Sequence, residues 1–362
     1  MKEKLHPIHI GILIYMTQTA VVILSLPRSL AEHFGTNGWV ILIPVSLFVA
    51  FNIFVISIVY RMGKGRSVFA VLEQSIPKAV LFPLYLAVGF LWALIGSLVG
   101  KQYVLVFQMS SYQSAPPMVL KFVCDFLAWL LINKGIHNIA KASTIFFVMI
   151  FWMILLLFYH LSDFSFTRLT PFFFQGETDF WNGLWEVYSS FLGFELSLLL
   201  FPYVASKTNM FKAVYAGHFL TSFTYLIVSF VMFGFFSLGQ LTSLVNPVID
   251  LLALIQLPFV ERIENLLFGF LLYTTLITSV MYFWAAQEAW ARVFHCVKPA
   301  VLNAFLILST GLSSLVPKTA EDVRSWLKIF VNIQIGVAII FPVFLILLLT
   351  IQNQKKRVPK NA

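Results

Sequence analysis

About ten apolar runs, most of them near the roughly 20 residues that cross a bilayer, follow one another along this chain with short connections. They lie near 8–30, 39–60, 80–109, 118–132, 142–161, 181–203, 214–238, 260–285, 299–316 and 329–352. In hydrocarbon every backbone N–H and C=O must be satisfied by the chain itself, so such runs are helices or strands of a closed barrel. Barrel strands are short and alternate in polarity, and these runs do neither. Of 362 residues 60% are hydrophobic and 11% charged, too few to give a soluble domain a polar surface. The chain reads as an all-α polytopic membrane protein, one integral membrane domain over 1–362.

Charge orients the runs. With the N-terminus inside, the inner segments carry 16 of the 24 lysines and arginines and the outer segments six, which predicts both termini in the cytoplasm. The first run starts after Lys2 and Lys4 like a secretory signal. It runs longer than a signal core and no small-residue cleavage site follows, so it reads as a retained span. Cys124 and Cys296 suggest neither a disulfide framework nor a metal site. Gly63-Lys64-Gly65-Arg66-Ser67 lacks phosphate-loop spacing and no Gly-x-Ser-x-Gly element occurs. With no soluble domain to separate off, the reading is not an enzyme, and no cofactor is implied. Between runs seven and eight, Val248 to Leu257 forms an apolar patch that suggests a helix lying along the outer surface.

Two runs are interrupted. The sixth, Trp181 to Tyr203, holds Ser189, Ser190, Gly193 and Glu195 in its middle; the first holds Thr17, Gln18 and Thr19, then Ser25 and Pro27. A charge at membrane depth costs a few kcal/mol or more and is rarely left facing lipid. If ten spans make two repeats of five, about 8–161 and 181–352, the sixth corresponds to the first. Broken first and sixth spans are the sequence pointer to an inverted-repeat transporter site at the midplane. Gln18, Thr19, Ala20, Ser25, Ser190, Gly193 and Glu195 are the ligand-binding candidates.

Leu26-Pro27-Arg28, Gly35-Thr36-Asn37-Gly38-Trp39, Phe191-Leu192-Gly193-Phe194-Glu195 with Pro202-Tyr203, and Phe259-Val260-Glu261-Arg262-Ile263-Glu264 occur together. That combination resembles the B subunits of spore germinant receptors, a spore germination family within the amino acid–polyamine–organocation (APC) transporter superfamily, over nearly the whole length. The resemblance implies a LeuT-like fold and residence in the inner membrane of spores. It also implies recognition of a small nutrient such as an amino acid, and partnership with a larger membrane subunit and a lipoprotein. One departure stands out: superfamily transporters usually carry glycines in the first-span break, and Thr19-Ala20-Val21-Val22 has none. Close backbone approach to a carboxylate is harder there, which shifts weight to side chains.

Other polar residues have two readings each. Glu195 is a ligand, a proton-coupling group or member of a polar network, or else a structural hydrogen bond between spans. Lys101 either snorkels to the interface or belongs to a polar network, as do Glu261, Arg262 and Glu264 as gate residues rather than helix-dipole partners. Thr274, Thr275, Thr278 and Ser279 offer hydroxyls at ion-site spacing, or simply bond back to the preceding turn. The leading function is nutrient recognition among helices 1, 3, 6 and 8 of a receptor subunit. The alternatives are a secondary amino-acid or amine transporter coupled to protons or sodium and, less favoured, a channel.

Overall fold

The computed structural model describes residues 4–110, 116–172, 174–205, 209–255 and 263–357. Its helices are α1 (Pro7–Gln18), α2 (Val22–Phe34), α3 (Leu42–Gly63), α4 (Val68–Glu73), α5 (Lys78–Ser110), α6 (Pro117–Ile132) and α7 (Ile136–Phe151). The second half has α8 (Phe180–Ser189), α9 (Met210–Phe235), α10 (Leu238–Ser243), α11 (Pro247–Ala253), α12 (Ile263–Trp290), α13 (Pro299–Ser313) and α14 (Ala320–Arg357). Prolines open α1, α6, α11 and α13, where a missing N–H costs nothing. Tighter 3-10 turns extend α7 through Trp152–Asp163 and form the second half of the sixth span, Phe194–Tyr203.

Among the described residues seven helical segments are long and apolar enough to cross a membrane, and α1 with α2, bent by 57°, makes an eighth. The shorter α6 and α13 complete the ten segments expected. The last begins nine residues before its expected start of 329, so Arg324 and Lys328 are helical rather than in a connection. Of the apolar patch at 248–257, residues 248–253 form a helix, α11, whose Val248, Ile249, Leu251 and Leu252 are buried against α2, α9 and α12; Leu254 and Ile255 lie beyond its end and residues 256–257 outside the described residues.

Spans differ in how much lipid they meet. Of the seven long segments the sixth span is the most enclosed, with α1, α3, α9 and α12 against it, and α7 with its extension the least. Lipid tails are as apolar as leucine, so close packing rather than water exclusion holds such helices together. Between α1 and α9 the approach is set by Gly11 and Gly217: a Cβ on Gly217 would lie 2.2 Å from the Gly11 carbonyl oxygen. The Gly35–Trp39 stretch has a comparable task at the end of α2. Asn37 donates to the carbonyls of Leu169 (2.7 Å) and Pro171 (3.3 Å), and Thr36 exchanges hydrogen bonds with Gln175, so Leu169, Pro171 and Gln175 of the connection before α8 are tied to the end of α2.

Among the described residues an ion pair sits inside the bundle. Lys121 donates to both oxygens of Asp125, one helical turn on, at 2.5 and 2.6 Å, and to the Ser97 hydroxyl at 3.2 Å. Pairing with a second side chain is what allows charge at this depth.

Candidate functional site

The two interruptions face each other at the centre of the bundle. Between α1 and α2 the chain turns at Thr19–Val21 with negative φ at both flanks (Thr19 −87°, Val21 −57°), which explains how this break forms without glycine. The Thr19 N–H and hydroxyl both return to the Tyr15 carbonyl, at 2.9 and 2.8 Å. The second break needs glycine twice over. Gly193 has φ +119°, and a Cβ there would stand 2.8 Å from Thr17 Cγ2 in the opposite break. It is therefore both a helix break and a packing contact.

Side chains from other spans tie the breaks together. The Tyr225 hydroxyl on α9 lies 2.8 Å from the Gln18 carbonyl and 3.0 Å from that of Ser190, bridging both breaks with one group. Gln18 donates to the Phe191 carbonyl at 2.5 Å and lies 3.4 Å from His218 Nδ1. His218 Nε2 in turn is 3.0 Å from the Ser46 carbonyl, which assigns its proton to Nε2. On the other side the Thr278 hydroxyl reaches the Met16 and Thr17 carbonyls at 3.2 and 3.0 Å. Carbonyls freed by the unwinding thus have protein donors beside them, each hydroxyl with one proton to share among its acceptors.

Glu195 belongs to this scaffold. One carboxylate oxygen accepts from the Gly193 N–H at 2.7 Å; the other accepts from the Tyr282 hydroxyl (3.1 Å) and the Gln334 amide (2.9 Å). Gln334 also accepts from Trp92 at 3.0 Å. Glu195 is 4% exposed, so the second break is linked through one carboxylate to α12, α14 and α5.

Beside the breaks lies a cavity of about 640 Å³, bounded by α2, α5, α8, α12 and α14. Gln18, Ala20, Ser25 and Ser190 line it, as do Thr278 and Tyr282; Thr19, Gly193 and Glu195 stand behind its wall. Its mouth opens beside the exposed Asn182, Trp185 and Lys328, on the face away from the described chain ends. Toward the other face the floor is shut. There Leu5 N–H donates to the Tyr203 carbonyl (2.9 Å), Lys4 to that of Pro202 (2.7 Å), and Tyr203 to Glu288 (2.8 Å).

The remaining candidates are dispersed. Lys101 donates to the carbonyls of Ser314 and Pro317 (2.5 Å to the latter) at the end of α13, and does not meet Glu195. Thr274 bonds back to Leu271; Thr275 and Ser279 are buried with hydroxyls that find no partner among the described residues. Glu261, Arg262 and the side chain of Glu264 lie outside the described residues. Sequence reasoning passed over Tyr225, Tyr282 and Gln334, whose signal is a single polar atom in an apolar span. It also passed over Glu186 and Arg324, which line the cavity mouth and are joined at 3.2 Å.

Among the described residues, two broken spans beside a cavity at the centre of ten helical segments define a LeuT-like membrane fold. The solved structure of MhsT in complex with L-phenylalanine has this fold, with a TM-score of 0.60 over 89% of this chain and 81% of MhsT at 16% identity. The chain belongs to the spore germination protein family, whose model it matches over residues 4–323. Among relatives, spore germination protein B2 of Bacillus subtilis (strain 168) is 24% identical over 329 residues, 86% of each chain. Spore germination protein GerQB of Bacillus cereus is 22% identical over 318 residues, covering 87% of this chain and 88% of its own. This is the family that the motifs resembled.

Proposed function

We propose that this protein is the nutrient-recognising subunit of a spore germinant receptor, holding a small molecule in the cavity between the two breaks. The observation that carries the reading is the cavity's position: Gln18 and Ala20 of the first break and Ser190 of the second line one volume, open on one face and closed on the other. A ligand there contacts both half-spans at once. Any rearrangement of one break against the other therefore changes its affinity, and by reciprocity the ligand biases that rearrangement. An amino acid fits the volume, and MhsT, of the same fold, holds L-phenylalanine. Glu195 acts by fixing the second break rather than by touching the ligand. The basic bias of the inner segments supports a closed face on the cytoplasmic side of the spore inner membrane, with a larger membrane subunit and a lipoprotein as partners.

The second reading, coupled transport of the same ligand, is favoured by the nature of the closed floor. A few hydrogen bonds from Leu5, Lys4 and Tyr203 close it, and such contacts can open. Uptake of labelled amino acids by proteoliposomes of the purified protein separates transport from sensing.

Filling the cavity tests the site. Ala20→Trp is expected to abolish the nutrient response of spores while the protein remains at its normal level. A full response would refute the reading.

A further inference from the structure

The cavity's charged side chains among the described residues stand at its mouth, not at the breaks. Glu186, one helical turn before Ser190 on α8, accepts from the Ser29 hydroxyl of α2 at 2.7 Å and from Arg324 Nη2 of α14 at 3.2 Å, with His33 Nε2 at 3.4 Å from its second oxygen. Glu186, Arg324 and Ser29 all line the cavity. Deeper in, the wall is mostly apolar, with Val21, Val22, Leu192, Ile335 and Ile339.

At the breaks the backbone acceptors already have protein donors beside them. The single Tyr225 hydroxyl proton is shared between the Gln18 and Ser190 carbonyls, the Thr278 hydroxyl stands within reach of the Met16, Thr17 and Thr274 carbonyls, and Gln18 donates to Phe191. An ammonium group reaching the breaks would compete with these donors for the carbonyls, and a carboxylate would find no lysine or arginine among the described residues there. The mouth offers both. Glu186 is the one carboxylate lining the cavity among the described residues, and its bond to Arg324 uses a single guanidinium nitrogen. A guanidinium can take a carboxylate with two N–H groups side by side. A half-exposed pair is worth little on its own and can be parted cheaply.

We propose that Glu186 and Arg324 form a two-pole recognition site for a zwitterion carrying a primary ammonium group and a carboxylate on neighbouring atoms, with the ligand's apolar body directed inward between the breaks. This inference rests on the cavity being the ligand site. The charged end of the ligand then lies at the mouth, held by side chains, and the breaks read its side chain. Closing the mouth over the ligand draws α2, α8 and α14 together, because each supplies a residue to the pair or its supports.

The test is equilibrium binding to the full-length protein in lipid nanodiscs. The probes are the twenty standard amino acids and, for the tightest binder, its methyl ester, N-acetyl and N-trimethyl derivatives. The wild type is expected to bind the zwitterion and reject all three derivatives. Glu186→Gln is expected to weaken the zwitterion roughly tenfold or more, about 1.4 kcal/mol, and to admit the N-acetyl compound. Arg324→Gln is expected to bind the methyl ester as well as the zwitterion. Such gains cannot come from misfolding. Ser190→Trp, which fills the cavity, is expected to remove all binding. If Ser190→Trp abolishes binding while Glu186→Gln and Arg324→Gln keep wild-type affinity and discrimination, the two-pole site is wrong and the cavity reading stands. If Ser190→Trp binds as the wild type does, the cavity reading fails. Binding of none of the twenty amino acids overturns the two-pole site as well.

Discussion

Gly193 and Tyr225 are the residues on which the geometry of the breaks depends. At φ +119° and with Thr17 Cγ2 2.8 Å from where a Cβ would lie, Gly193→Ala combines backbone strain with a clash. Strain of this kind costs about 1–3 kcal/mol before the clash is counted. Thermal unfolding of the detergent-purified variant is expected to show a loss in that range or above. Unchanged stability would mean that the break is not packed as described. Glu195→Gln is expected to destabilise by about 1–3 kcal/mol, since an amide has one acceptor oxygen and Glu195 uses two. Ligand affinity should be kept. Lost affinity at unchanged stability would instead make Glu195 a ligand contact. The sequence made Glu195 conspicuous because carboxylates are rare at that depth. Its partners were invisible because they lie 87 and 139 positions away, and nothing in a single chain marks which tyrosine or glutamine will reach it.

At the scale of elements, the interruptions were legible and their surroundings less so. Polar residues at 17–19 and the glycine at 193 mark where helices stop, since that is local chemistry. The boundary of α14 was missed because Arg324 and Lys328 look like connection residues; in the fold they stand in the first turns of a helix beside the cavity mouth. Glu186 was overlooked for a related reason: near the end of a span, a carboxylate normally reaches the interface and needs no partner. The buried pair on α6 gives a prediction that belongs to that element. Asp125→Ala leaves the Lys121 ammonium unpaired and is expected to cost about 3 kcal/mol or more, whereas Lys121→Met with Asp125→Leu should be close to neutral. Unfolding monitored by tryptophan fluorescence distinguishes the two. Equal losses in both variants would show that the charges are not what matters there.

For the molecule as a whole, ten apolar runs dictated the helical architecture, because a bilayer permits so few alternatives. What the runs could not show is which face of each looks inward. That is decided by packing, and it separates the wall of the cavity from the scaffold behind it. In the proposed function the nutrient sits in the cavity beside the two breaks. Ser25→Cys, in protein whose Cys124 and Cys296 are replaced by serine, places a single reporter thiol on that wall. Its rate of modification by a membrane-impermeant thiol reagent, with and without the nutrient that triggers the spore, is the direct measurement. The nutrient is expected to protect the introduced thiol in a saturable manner, at the concentrations that produce the response. Modification at the same rate with saturating nutrient would contradict it.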